Sequence, residues 1–232
     1  MLRRPCAPLP LIILGLLSSW AAFPGRSMGE GEPDKALPQP EIKPLFEDKF
    51  DATLGKAWSW LNEEPSAWRI GKEGLEIRAL PGHGVQRKNR LLGPTFEAGT
   101  ELSVEVFLDV HPTIPNEHAG LQCYFDEKNW VGMVYEGDAV LTLNKNGHFD
   151  WRVLPFKKST LWLRMEISGG KASGFCRTAR EDEWKKVGQW DLPSDKDFRL
   201  GLAAAGGPKD KEDWARFRDF RVLPVVKGST EK

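Results

Sequence analysis

Only three of the 232 residues are cysteine, and none of them has metal-ligand spacing such as CxxC, so a thiolate metal site is excluded. The four histidines, His83, His111, His118 and His148, are scattered without an HxxxH or His–Cys arrangement. No Gly-rich phosphate loop follows a strand-like run, no nucleophile elbow occurs, and no Asn-x-Ser/Thr sequon is present. Charge of one sign is also missing. Lys+Arg and Asp+Glu are each 33, so no basic field exists to neutralise several phosphates, and nucleic acid is excluded as a partner. Beyond the N-terminus no apolar run reaches the roughly 20 residues a spanning helix needs. Apolar residues at helical spacing are absent over any useful length.

What is present begins with "MLRRPCAPLPLIILGLLSSWAAFPG". Two arginines, the apolar run Leu9–Leu17 and small residues near Ser19 and Ala21 follow the order of a secretory signal peptide, with cleavage expected after Ala21 or Ala22. Cys6 precedes the apolar run, so it is not the lipidated cysteine of a processed lipoprotein. Residues 1–22 are therefore read as a signal peptide, giving a secreted or periplasmic protein with no membrane contact beyond that segment. Residues 23–43, rich in Pro, Gly and charge, are read as a flexible linker. Removal of the leader takes Arg3 and Arg4 and no acid, leaving a slightly acidic chain. Cys123 and Cys176 remain; an oxidising compartment permits a disulfide between them, while a strand position suits buried free thiols equally.

From Pro44 to Pro224 the apolar period is two. "ELSVEVFLDV" puts Leu102, Val104, Val106, Leu108 and Val110 on one face. "LWLRMEI" puts Leu161, Leu163, Met165 and Ile167 inward, with Trp162, Arg164 and Glu166 outward. "GLEIRA", "AGLQCYF", "AVLTLN" and "FRLGLA" alternate likewise, and "DEKN", "NKNG" and "SGGK" are loops of hairpin length. About a dozen short strands at this spacing imply an all-β sandwich or barrel over residues 44–224, with 225–232 as a tail. In "ARFRDFRVLP" the alternation slips by one near Arg218–Asp219, the mark of a β-bulge that re-aims Asp219. Trp58 and Trp68 in "LGKAWSWLNEEPSAWRI" are expected to pack against the sheets, with Trp60 on the face of Trp58 and the following "NEEPS" loop leaving room for either ring at a rim. "QRKNR" at 86–90 is read as a solvated basic loop.

"FEDKFD", "LGKAWSWL", "AGLQCYFDEKNWVGMVYE", "ISGGKASGFCRTAREDEWKKVG" and "ARFRDFRVLP" occur in an order that resembles concanavalin A-like domains. Among these they are similar to the C-terminal domain of bacterial β-xylosidases and to related secreted bacterial proteins. The resemblance covers residues 44–224. It implies a concanavalin A-like jelly-roll β-sandwich of two antiparallel sheets, and this superfold hosts lectins, glycosidases and structural modules alike.

Three sites follow from the resemblance. Sugars in such jelly rolls lie on a sheet face or loop rim against aromatics, amides, carboxylates and guanidinium groups, so carbohydrate is the expected partner. Glu105, Phe107, Gln122, Tyr124, Tyr135, Trp151, Trp162 and Arg164 are the candidate ligand-binding residues. Members with glycosidase activity carry alternating carboxylates on one strand; Glu101 and Glu105 in "ELSVE" match in part, with Ser103 where a middle acid would stand. A structural Ca2+ would use Glu47 or Asp48 from the first strand and Asp219 from the last, with carbonyls and water completing its six to eight oxygens. The expected function is a non-catalytic carbohydrate-binding or accessory module. The alternatives are a glycoside hydrolase acting through Glu101 and Glu105, and a protein-interaction or structural domain with an unidentified partner.

Overall fold

The computed structural model describes residues 42–82, 87–144 and 148–225. Alternation over Leu102–Asp109 buries Leu102, Val104, Val106 and Leu108 completely, each side chain stabilising the fold by about 1.5–3 kcal/mol relative to exposure. The same period produces fifteen strands among the described residues. They are β1 (Phe46–Asp48), β2 (Ser59–Leu61), β3 (Trp68–Gly71), β4 (Gly74–Arg78), β5 (Arg90–Phe96), β6 (Leu102–Asp109), β7 (His118–Asp126) and β8 (Asn129–Glu136). The chain continues through β9 (Ala139–Asn144), β10 (His148–Pro155), β11 (Thr160–Ser168), β12 (Lys171–Arg177), β13 (Lys185–Asp191), β14 (Phe198–Ala205) and β15 (Trp214–Pro224). The one helical piece described is a 3-10 turn at Pro65–Ala67, and no described helix is long and apolar enough to cross a membrane.

The strands form two antiparallel sheets. Sheet A has the order β13-β12-β11-β6-β15-β4-β3, with β1 paired to β15; sheet B has the order β10-β9-β8-β7-β14-β5-β2. This is the jelly-roll sandwich that the sequence implied. The core lies between the sheets, where Leu161, Leu163, Met165 and Ile167 of β11 join the β6 side chains from sheet A. Ala119, Leu121, Cys123, Val131, Met133 and Leu200 meet them from sheet B. Short loops enforce the register. Ser168 pairs with Lys171 across the two-residue loop Gly169–Gly170, and both glycines have positive φ (58° and 71°), as the tight turn between twisted strands requires. At the next hairpin Asp126 Oδ1 accepts from Lys128 N (2.9 Å) and Asn129 Nδ2 (2.8 Å), closing the loop over Glu127 and Lys128.

The tryptophans of 58–68 close one corner. Trp58 is buried among Phe46, Phe50 and Phe220, with ring centroids 5.0–5.5 Å away. Its Nε1 donates to Asp48 Oδ2 (2.8 Å). Trp60 and Trp68 are half-buried, pack on the same core and lie 4.9 Å apart. On β15 the register shifts between Arg218 and Arg221, and Asp219 has φ 53°, which is the expected bulge. Cys123 lies on sheet B and Cys176 on sheet A; both are buried and free, so the disulfide that secretion would permit is not formed. The segments expected to be a signal peptide and, for the most part, a linker lie outside the described residues.

Candidate functional site

The residues expected to line one ligand face divide between two. Glu105, Phe107, Trp162 and Arg164 stand on the outer face of sheet A, with Trp162 opposite Phe107 and Arg164 opposite Glu105. Gln122 and Tyr124 stand on the outer face of sheet B. Tyr135 points the other way: it is buried and belongs to the inter-sheet core. It is removed from the set because the β8 alternation that turns Trp130 and Val134 outward turns Tyr135 inward. Trp151 lies on β10, and its side chain is outside the described residues.

On the outer face of sheet A each of the four candidate side chains has a protein partner. Glu105 lies between Arg164 (3.8 Å) and Arg221 (3.6 Å). Arg180 stacks on Trp162 at 4.4 Å and Arg218 on Phe107 at 4.4 Å, so guanidinium groups occupy ring faces that a sugar would use. Farther along, Glu76 takes Arg69 on one oxygen and Arg216 on the other. Burial pushes its carboxyl up, but hydrogen bonds and charge from these two arginines outweigh it and hold it below the usual range. Glu101 is turned to the sheet rim, where its Oε1 accepts from Ser168 Oγ (2.9 Å) and Gly169 N (3.3 Å). The two glutamates of the alternative catalytic reading, four strand steps apart (roughly 13 Å), are thus committed to different partners.

The acids proposed for calcium are engaged by protein donors. Asp48 Oδ1 accepts from Phe50 N (2.8 Å), and its Oδ2 accepts from Trp58 Nε1 and Gly55 N. These N–H groups aim at the lone pairs a cation would need. Asp219, re-aimed by the bulge, pairs with Arg180 at 3.0 Å, and Glu47 is exposed opposite Arg221. No group of three or more metal-ligating side chains gathers among the described residues. The arrangement does not fit a calcium cradle.

Sheet B presents a different outer surface. Its paired residues form rows across the strands: Trp130, Tyr124 and Arg199 in one row, Gly132, Gln122 and Gly201 in the next, then Val134, Gly120 and Ala203. The glycines make a shallow trough in which Gln122 is the one long side chain of its row. Their smallness is required: a Cβ on Gly201 would overlap the Leu91 carbonyl oxygen, and one on Gly120 the Met133 carbonyl oxygen. Gln122 is 3 % exposed, and neither its amide nitrogen nor its amide oxygen has a hydrogen-bond partner. A buried polar group left unsatisfied costs about 1–3 kcal/mol.

Over this trough lie two arginines. Arg87 (5 % exposed) and Arg90 (1 % exposed) both stack on Trp130, at 5.2 and 4.7 Å, and Arg90 also reaches Tyr124 at 5.9 Å. Burial, aided by the Arg90 charge, lowers the Arg87 guanidinium to about 9. Burial also lowers Arg90, with Tyr124 and Glu127 acting against it. No hydrogen bond or ion pair joins the Arg87 guanidinium to any described residue. Of the stretch expected to be a solvated basic loop, Arg87, Asn89 and Arg90 are buried and Lys88 alone among 87–90 is exposed. Asn89 fixes the stretch from within, donating to the Glu64 and Ala67 carbonyls and accepting from Glu64 N (2.7 Å). Tyr124 and Arg199 are half-buried and form the open end of the trough; Arg199 is held by the Gly93 and Leu92 carbonyls and by Ser59 Oγ. Elsewhere a cavity of ≈ 80 Å3 lies beside Gly99, Phe125, Ile167 and Leu192, well below the roughly 300–1,000 Å3 of ordinary ligand pockets.

The family model described as the β-xylosidase C-terminal concanavalin A-like domain matches residues 47–223. Comparison with curated proteins gives no match. Among solved structures, the GH43 protein BlXynB from Bacillus licheniformis is 21 % identical with a TM-score of 0.67, over 82 % of this chain and 41 % of that one. A xylan β-1,4-xylosidase from Bacillus halodurans is 20 % identical with a TM-score of 0.63, again over 82 % and 41 %. A functionally unknown protein from Saccharomyces cerevisiae is 14 % identical with a TM-score of 0.58, over 73 % of this chain and 97 % of that one. The chain thus spans about two fifths of the two bacterial proteins, and at these identities the likeness is one of fold.

Proposed function

Since the chain belongs to the family of β-xylosidase C-terminal concanavalin A-like domains, we propose that it is an exported, non-catalytic carbohydrate-binding or accessory domain. Its ligand face is the outer surface of sheet B. The observation that supports this reading is the Gln122 amide, buried in a glycine-floored trough beside Tyr124 and Trp130 with donor and acceptor both unpartnered. An amide offers one hydroxyl a donor and another an acceptor, the pairing that the polar rim of a sugar ring presents. Export rests on the N-terminal leader. A non-catalytic role is supported by Glu101 and Glu105, since a pair working on a glycosidic bond needs carboxyls roughly 5–9.5 Å apart and facing one substrate.

Titration of the mature chain with xylan, glucan and plant oligosaccharides, followed by tryptophan emission, tests the proposal. Saturable quenching that is lost in Gln122→Leu is the expected result. Flat titrations across the panel refute it. Release of reducing ends that disappears in Glu105→Gln would refute the non-catalytic role instead.

A further inference from the structure

The second feature of the trough is its charge. Buried ions are ordinarily paired, because a lone charge in a low-dielectric site costs several kcal/mol, about as much as a well-made pair recovers. Arg87 breaks that pattern, and Arg90 sits beside it on the same indole. On sheet A each outward arginine described above has a carboxylate or a ring as its partner and is partly open to solvent; on sheet B Arg87 has the Trp130 ring alone. Stacking on an aromatic face offsets part of the desolvation and fixes the plane of the guanidinium. It leaves the in-plane N–H fork of Arg87 free to donate to an oxyanion, and bidentate carboxylate recognition is what that fork suits. Next to it, the Gln122 amide supplies the hydrogen bonds that a neutral hydroxyl rim would use.

We propose that the outer face of sheet B selects acidic saccharides, with Arg87 receiving the carboxylate of a hexuronate and Gln122 an adjacent hydroxyl. The inference rests on the carbohydrate-binding reading above and adds the charge of the ligand. Trp130 orients the Arg87 guanidinium from below, and Tyr124 at the open end meets the sugar. The nearby Glu127 disfavours anions approaching across its own turn, so entry is from the Arg199 side.

Isothermal titration of the full chain with trigalacturonate, its methyl ester, a sulfated oligosaccharide and xylotriose tests this. The ester keeps the ring and removes the charge. Binding of the acid at least tenfold tighter than the ester is expected, with affinity for the acid falling as salt rises from about 50 to about 500 mM and affinity for the ester unmoved. Arg87→Gln should bring the acid-to-ester ratio close to one. Equal affinity for acid and ester in the wild-type chain overturns the acidic preference and leaves the carbohydrate reading standing. Tighter binding of the sulfated sugar than of the uronate overturns the carboxylate assignment. Absence of binding to all four sinks both proposals. Because the acid–ester comparison uses the unaltered protein, it decides the matter even where Arg87→Gln does not fold.

Discussion

Replacing Asp48 by alanine tests whether this carboxylate is a structural hub or a cation ligand. Three N–H groups converge on it, from Phe50, Gly55 and Trp58. Hydrogen bonds to a charged group contribute about 1.5–3 kcal/mol each, and a buried donor left unsatisfied costs about 1–3 kcal/mol. Trp58 is buried, so its indole N–H has no water to turn to. Phe50 is held at φ 58°, a left-handed conformation worth about 1–2 kcal/mol of strain for a non-glycine residue, and the Asp48 bond to its N–H stabilises that turn. The three terms share one group and do not add fully. An overall loss of about 3–4 kcal/mol is expected. For a domain of this size each kcal/mol shifts Tm by roughly 2–4 °C, so Asp48→Ala should melt roughly 6–16 °C below wild type by circular dichroism. Urea unfolding should give a lower midpoint at unchanged slope. Asp48→Asn, which keeps one acceptor, should recover part of the loss. A loss below about 0.5 kcal/mol, the range of an ordinary surface change, refutes the hub. So does a rise in the wild-type Tm on adding calcium that Asp48→Ala abolishes, since the carboxylate would then hold an ion.

Three further outcomes follow from other parts of the sandwich. Burial, with the Asp213 charge behind it, raises the carboxyl of Glu117 above its ordinary 4.5, although bonds from Thr113 oppose the rise. Its stabilising contribution is complete below pH 4.5 and is lost as pH climbs through the folded value. For Asp213 burial also pushes up but is outweighed by bonds from Lys211 and Thr113, so its contribution is present above about 3.8 and lost in acid. Glu117→Gln should therefore gain on wild type in urea midpoint between about pH 5 and 8, and parallel profiles would refute the assignment. Gly120→Ala drives a methyl into the Met133 carbonyl oxygen and should cost more than about 3 kcal/mol. The control Gly137→Ala, at φ 63° with open space around it, should cost only about 1 kcal/mol; similar melting of the two would show that sheet B tolerates the shift. Cys123 and Cys176 should resist thiol reagents until the chain is unfolded, because burial pushes both thiols up, Cys176 to about 12. Stoichiometric labelling of the native protein within minutes would contradict that burial.

The period-two rhythm carried the architecture because burial on one face is a local property of each strand. Leu102, Val104, Val106 and Leu108 needed no partner to be identified as interior, and the slip at Arg218–Asp219 is likewise a break in local pattern. Sheet membership is not local. "VEVFLD" and "GLQCYF" alternate in the same way, yet β6 joins sheet A and β7 sheet B, so outward residues from the two could not be assigned to different surfaces. Tyr135 was misplaced for a related reason. The run Trp130 to Tyr135 is apolar on both faces, because β8 is covered on its outer side by Tyr124, Leu141 and Leu143 as well as on its inner side by the core. Arg87 and Arg90 were missed because composition marks arginine as exposed. The available signal was their placement against Asn89 and the strand "RLLGPTF", where a solvated loop would have no reason to end in a buried strand residue.

The two outer faces also show why candidate residues must be weighed by what already holds them. Glu105, Phe107, Trp162 and Arg164 have the residue types of a sugar site, but on sheet A the arginines complete the acids and cover the rings. A ligand arriving there would have to break about as many interactions as it made. Gln122 and Arg87 are fewer and carry less suggestive sequence signals, but the Gln122 amide and the Arg87 Nε have no hydrogen-bond partner. A ligand that supplies an acceptor to Arg87 and a hydroxyl to Gln122 gains those bonds without displacing protein partners, and it relieves a cost the folded chain bears in its absence. The proposed ligand face is therefore the one with fewer candidate residues and more unmet valence.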